Sequence, residues 1–294
     1  VKRGLDLSQA PDRLTPSIIV AKFVASGDGF SCPAPSRRAR IHGRPSAMLL
    51  HLQTWGEIET YLKTSRGVIM PIGSTEQHGP NGLIGTDAIT AEFVAKGVGE
   101  ATGAVVAPTI SVGMAQHHLA FKGSMALRPT TLIAVIRDYV ESLAVHGFDR
   151  FFFVNGHGGN VATTTAAFSE IYAASSFGVA GNRPPIKCVL KNWYDMPAIK
   201  ALSKELYGDQ EGSHATPSEV SLTWYAHPDR AMPMAMDPPV APKGSFTDAA
   251  DYRRNFPDGR IGSNPGLSSA AHGKRIYEAA VKDLAEEYRR WVAA

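Results

Sequence analysis

Short apolar runs alternate with amphipathic segments along most of this chain, a pattern that predicts an α/β fold with a mainly parallel sheet covered on both faces by helices. Three observations carry that prediction. Residues 68–72 and 151–154 are near-continuous apolar runs of strand length, as expected of strands buried on both faces. Each run leads into a glycine-bearing loop and then into a helical pattern. A long amphipathic segment closes the chain, with Ile276, Ala279, Ala280, Leu284 and Tyr288 at helical spacing.

The elements follow in order from Met48. Residues 54–62 suit a short helix with Thr54 as its N-cap, 67–72 a strand, and 88–100 a helix. A strand over 104–110 comes next, then a helix over 130–146 stopped by Gly147, a strand over 150–154, a helix over 161–176 and a strand over 186–191. The Pro- and Gly-rich stretch 228–266 is too long for a turn and reads as an ordered excursion that shapes a pocket or a subunit contact. The closing helix spans 268–292, its apolar stripe suited to core packing.

Residues 1–47 stand apart. They are rich in Pro, Ser, Gly and Arg, lack a sustained period, and read as a disordered basic tail. The first Met is Met48, where the orderly pattern starts, so the expected physiological start is Met48 and the expected domain covers 48–294. The tail carries eight Lys or Arg against three Asp, while the whole chain has a net charge of +3, which leaves the domain slightly acidic. That balance argues against nucleic-acid binding by the domain. No apolar stretch approaches the ~18 residues of a membrane span. Cys32 and Cys188 offer no disulfide framework, so a reduced cytoplasm is the expected compartment.

Three blocks carry the chemistry. Gly73-Ser-Thr-Glu76-Gln-His78-Gly-Pro80 follows the first apolar strand, with Asp87 nine residues beyond His78. Glu76 and His78, two apart in extended chain, project to one side, and a loop then needs only to return Asp87. Asn155-Gly-His157-Gly-Gly-Asn160 follows the third strand, and Glu211-Gly-Ser-His214-Ala-Thr-Pro-Ser-Glu219-Val-Ser221 adds an imidazole and two carboxylates. Together they hold enough ligands for two divalent ions. Imidazole and carboxylate without thiolate suit Zn²⁺ foremost, with Mn²⁺ or Fe²⁺ as alternatives. The double-glycine turn lacks the Lys-Ser/Thr of a phosphate-binding loop. Gly158 and Gly159 let the backbone approach a substrate, though a plain tight turn is the alternative. His117 and His118 follow a strand and are placed to line a pocket, as are Trp193 and Tyr194; Gln77 and Ser74 are candidates to support the ligands. His42, His51, His146, His227 and His272 read as surface or capping residues.

These blocks resemble the creatininase (creatinine amidohydrolase) family, and Gly262-Ser-Asn-Pro265 with Gly273 is similar to that family's closing segment. The resemblance implies a three-layer α/β/α sandwich, assembly as a homo-oligomer, usually a hexamer, and two divalent metals that hydrolyse a small amide. Carried over by motif, Glu76, Asp87 and His157 hold one metal, His78 and bridging Asp87 the other, and His214 is the general acid or base. Three departures matter. Creatininase has a carboxylate two residues after the turn histidine where this chain has Gly159, so Glu219 is expected to supply the ligand and a Gly159→Glu change to restore it. Gln210 stands where creatininase closes its substrate pocket with tryptophan, so creatinine is not the expected substrate. Val220 replaces the family's usual Thr.

The leading expectation is a metal-dependent amidohydrolase that cleaves a non-peptide C–N bond in a cyclic amide, lactam or formamide. One rival is a metallopeptidase trimming a ribosomally made cofactor precursor. Another is a metal-binding scaffold without turnover.

Overall fold

The structure is a computed structural model and describes residues 47–178 and 185–294. The expectations for the basic tail up to residue 46 lie outside the described residues. The centre is a five-stranded parallel sheet made by β1 (Met48–Leu49), β2 (Gly67–Ile72), β3 (Val105–Val106), β4 (Arg150–Asn155) and β5 (Lys187–Asn192), in the order β1-β3-β2-β4-β5. β2 and β4 pair along their full length, from Gly67 opposite Arg150 to Ile72 opposite Asn155.

Eight helices accompany these strands among the described residues: α1 (Trp55–Leu62), α2 (Thr86–Thr102), α3 (Pro129–Ala144), α4 (Asn160–Ser176), α5 (Pro197–Tyr207), α6 (Pro217–Ala226), α7 (Ala249–Asn255) and α8 (Ala270–Ala293). The strand period of two sorts the side chains between two cores. Val68, Met70, Ile72, Phe151 and Phe153 pack with Leu132, Ile136 and Val140 of α3 and with Phe168 and Ile171 of α4. Ile69, Phe152 and Val154 face the other way, onto Val94 and Val98 of α2, Leu222 of α6 and Ile276 and Leu284 of α8. Apolar residues on both faces explain the unbroken runs, and burial of each phenylalanine contributes about 1.5–3 kcal/mol. The result is the expected three-layer α/β/α sandwich. No helix among the described residues is long and apolar enough to cross a membrane.

Several elements differ from the sequence reading. The strand expected over 104–110 shrinks to Val105–Val106. Pro108 lacks an N–H to continue the ladder, and the chain rejoins β2 only through Ile110, whose amide donates to the Pro71 carbonyl at 3.0 Å. Helix α2 begins at Thr86, so Asp87 sits in a first helical turn rather than in a loop. Helices α5 and α6 are additions to the expected elements, although α6 carries a full start signal: Thr216 as N-cap, Pro217 at the first position and Glu219 closing a capping box. The 228–266 stretch is ordered, as expected, and contains α7.

Candidate metal centre

β2 leads through α2 to β3 on one side, whereas β4 leads through α4 to β5 on the other. Such a reversal opens a crevice beyond the carboxyl ends of the two strands. Glu76 and His78 enter it from the loop after β2, and His157 from the loop after β4. Asp87 enters from the first turn of α2, where the helix N-terminus favours a carboxylate. Space there is tight: a Cβ on Gly156 would lie 2.2 Å from the Asp87 carbonyl oxygen. Asn155 shapes the second loop, its Oδ1 accepting from the His157 amide at 3.1 Å and its Nδ2 donating to the His157 carbonyl at 2.7 Å. Asn160 is the first residue of α4, after the N-cap Gly159. It ties the loops together, accepting from the Met114 amide and donating to the Gly73 carbonyl.

Asp87 turns Oδ1 to His78 Nε2 and Oδ2 to His157 Nδ1, each at 2.9 Å. The second nitrogen of each ring faces a backbone carbonyl: His78 Nδ1 lies 3.0 Å from Glu76 O, and His157 Nε2 lies 3.0 Å from Met114 O. Glu76 Oε2 accepts from the Ser74 hydroxyl at 2.7 Å. Glu76 Oε1 is 3.1 Å from His118 Nε2, out of line, and has no hydrogen bond. Glu219 comes from α6; its Oε1 accepts from the Thr216 amide at 2.6 Å, while its Oε2 is 3.9 Å from His78 Nε2.

Two candidate ligand sets therefore share Asp87: Glu76, Asp87 and His157, and His78, Asp87 and Glu219, with donor atoms in each set within 4.8 Å of one another. A third combination joins Glu76, His78 and His214. These residues fit divalent metal. Glu76 Oε1 and Asp87 Oδ2 are buried without hydrogen bonds, and a divalent cation between them would satisfy both oxygens. The carbonyl-tethered imidazoles also match the way metal-bound histidines are usually oriented.

The electrostatics separate the histidines into two kinds. Burial opposes charge on His78, yet Asp87 and Glu219 prevail and raise its pKa to about 10. His157, equally buried, is raised to about 9 by Glu76 and Asp87. Burial works to raise the Asp87 carboxyl as well, but the two imidazoles hold it far below its usual range. His118 moves the opposite way, to about 3, through burial and then the positive charge of His78 and His157. Burial, followed by His118 and His78, lowers His214 well below its ordinary value. Burial raises Glu219 to about 7, opposed by His78.

Above the cluster lies a cavity of about 740 Å³, within the range of small-molecule sites. Asp87, His157 and Glu219 lie at its base, with His118, His214, Gly158, Gly159 and Trp193 among its lining. Of the residues expected to contact a substrate, Gln210 is the exception. It does not line the cavity, because its Oε1 accepts from Asn264 Nδ2 at 2.8 Å. Phe246, Tyr252 and Ile261, all from the 228–266 excursion, also line the cavity, as do Glu211, Lys200 and Lys204. Their positions depend on a long non-local return of the chain and had no local signal. His214 is held beside this wall by a bridge to Ile261, next to Ala215 at φ 51°, a conformation costing a residue with a side chain about 1–3 kcal/mol.

The creatininase family model, described as creatinine amidohydrolase, matches residues 51–288. This chain belongs to the creatininase family. It is 29% identical over 241 residues to the mycofactocin precursor peptide peptidase of Mycolicibacterium smegmatis, covering 76% of this chain and 85% of that protein. It is 27% identical over 250 residues to the creatinine amidohydrolase of Pseudomonas putida, covering 80% and 94%. A solved structure titled "Creatininase Mn" superposes with a TM-score of 0.69 at 25% identity, covering 83% of this chain and 98% of that one. As a creatininase-family hydrolase, the protein has one position where the sequence expectation meets a steric limit. A Cβ on Gly159 would lie 2.4 Å from His157 Nε2 and 2.6 Å from the Met114 carbonyl. A carboxylate cannot be restored there without displacing His157.

Proposed function

We propose that this creatininase-family hydrolase cleaves a C–N bond of a small amide, a cyclic amide, lactam or formamide, at a site holding two divalent ions per subunit, zinc foremost and manganese or iron as alternatives. The observation that carries this reading is the Asp87 carboxylate, shared at 2.9 Å between His78 and His157 beneath the cavity. Glu76, Asp87 and His157 would hold one ion, and His78, Asp87 and Glu219 the other. When bound, such a pair would lower the pKa of a water and polarise a carbonyl oxygen.

The remaining work falls to the protein. Neutral His214, beside the ligand sets, accepts a proton from the attacking water and returns it to the departing nitrogen. Trp193, Tyr194 and Tyr252 wall the cavity and exclude bulk water. Gly158 and Gly159 let the substrate approach the backbone at the start of α4.

A second reading, hydrolysis of a peptide bond, is supported by the similarity to the mycofactocin precursor peptide peptidase and by a cavity of about 740 Å³, roomier than a single small ring needs. Metal-loaded protein assayed for amine release against lactams, cyclic ureides, formamides and short peptides separates the two. Turnover of the small amides supports the first, turnover of peptides alone the second. No turnover in any class, with metal bound, would leave a scaffold. A homo-oligomer in a reducing cytoplasm completes the reading: it would cover the exposed Leu52 and Trp55 and is compatible with unbridged Cys188. Light scattering on the full chain tests the assembly.

A further inference from the structure

Gln77 lies between Glu76 and His78 in the loop after β2, and its buried side chain reaches His118 and His214, two histidines of the cavity lining. Its Nε2 is 2.9 Å from His118 Nδ1, 2.9 Å from His214 Nε2 and 2.9 Å from the Gly259 carbonyl. The amide orientation is fixed, because Gly79 N–H donates to Gln77 Oε1 at 2.9 Å. The Tyr252 hydroxyl lies farther off, at 3.5 Å, and itself donates to the Gly259 carbonyl at 2.8 Å, so two N–H hydrogens face four acceptor positions.

The backbone resolves the choice. His214 Nε2 also lies 2.9 Å from the Gln77 carbonyl oxygen, which has no other hydrogen bond among the described residues. A proton on His214 Nε2 satisfies that oxygen, and the two Gln77 hydrogens then go to His118 Nδ1 and Gly259 O. His118 must accept at Nδ1, which puts its own proton on Nε2, 3.1 Å from Glu76 Oε1. The opposite tautomer of His118 would set two N–H groups against each other and a ring lone pair against a carboxylate. This assignment satisfies the Gln77 amide and carbonyl and leaves the His118 proton on the nitrogen that faces the Glu76 carboxylate.

We propose that Gln77 is a positioning residue that fixes both tautomers: His118 as an Nε2–H donor facing Glu76, and His214 with its proton on Nε2 and its lone pair on Nδ1. His214 Nδ1 is the nitrogen on the ligand side, 3.9 Å from Glu76 Oε1. On the functional reading above, it is the atom that takes the proton. Gln77 thus links the orientation of a metal ligand to the readiness of the base.

The direct test is proton–nitrogen correlation spectroscopy of metal-free, full-length protein labelled with nitrogen-15 at histidine. Signals are assigned by their loss in His118→Gln and His214→Gln. Both rings protonated at Nε2 alone is the expected result, and a proton on Nδ1 of either ring overturns the proposal. In Gln77→Glu, which keeps the size and removes both donors, His118 should shift its proton to Nδ1. Affinity for Mn²⁺ should then fall about 10–100-fold, as for other supporting residues of metal ligands. Loss of thermal stability with unchanged tautomers would mark Gln77 as merely structural and end the idea. The tautomers are read without substrate, so protein that hydrolyses no amide but shows them would refute only the functional reading.

Discussion

Thr216 and Glu219 cap each other: the Thr216 amide donates to Glu219 Oε1 at 2.6 Å, and the Glu219 amide donates to Thr216 Oγ1 at 3.2 Å. One carboxylate oxygen is thereby anchored to the start of α6, and the other is turned toward His78. Thr216→Val removes half of the box, at a cost of about 1 kcal/mol of stability. Paired thermal unfolding and metal titration should show a small drop in melting temperature beside a larger loss of affinity for the ion that Glu219 would hold. Unchanged affinity would mean the cap does not position the ligand.

Glu219→Ala should lower metal content from about two ions per subunit towards one, measured by elemental analysis. Adding Gly159→Glu should not restore the second ion, because the new Cβ would press on His157 Nε2 at 2.4 Å. Recovery in the double variant would show that the β4 loop yields more than its packing suggests.

Metal binding should release protons. His78 and His157 have pKa values raised to about 10 and about 9, so both are protonated at neutral pH and must lose a proton to become ligands. Affinity therefore rises with pH up to those values, by roughly tenfold per pH unit for each proton displaced. Calorimetry in buffers of different ionisation enthalpy measures the number released. An affinity that stays constant between pH ~6 and ~8 would contradict this direction of change.

Arg260, buried in the excursion, donates to the carbonyls of Pro238, Pro239 and Ser263 at 2.9, 3.0 and 3.1 Å and pairs with Asp258 at 2.7 Å. Arg260→Met would leave three carbonyls without that donor and should cost about 2–4 kcal/mol. Denaturant unfolding reads this loss. Since the same segment carries Phe246 and Tyr252, substrate KM should also rise in the variant.

The sheet was legible because its strands are buried on both faces, so residues 68–72 and 151–154 show as continuous apolar runs. The candidate ligands were legible because Glu76, His78 and His157 stand shortly after the ends of those runs. Asp87 and Glu219 were legible as residue types but not as helical positions, and Glu219 could have been placed by its Thr-Pro-x-Glu start signal. Gln210 was misplaced because its sequence position beside the third block says nothing of its bond to Asn264, 54 residues away.

Sequence alone determined the sheet, the candidate ligand types and the family, since these rest on local periodicity and on short motifs at fixed spacing. Tertiary structure decided which atoms meet. It gave Asp87 one oxygen for each of two histidines, directed Glu219 Oε2 rather than any side chain at position 159 toward His78, and lined the cavity with residues from the 228–266 excursion. The physical reason is that metal-ligand geometry is settled at the scale of tenths of an ångström by packing between distant segments. No local propensity encodes distances between residues that meet only when the chain returns.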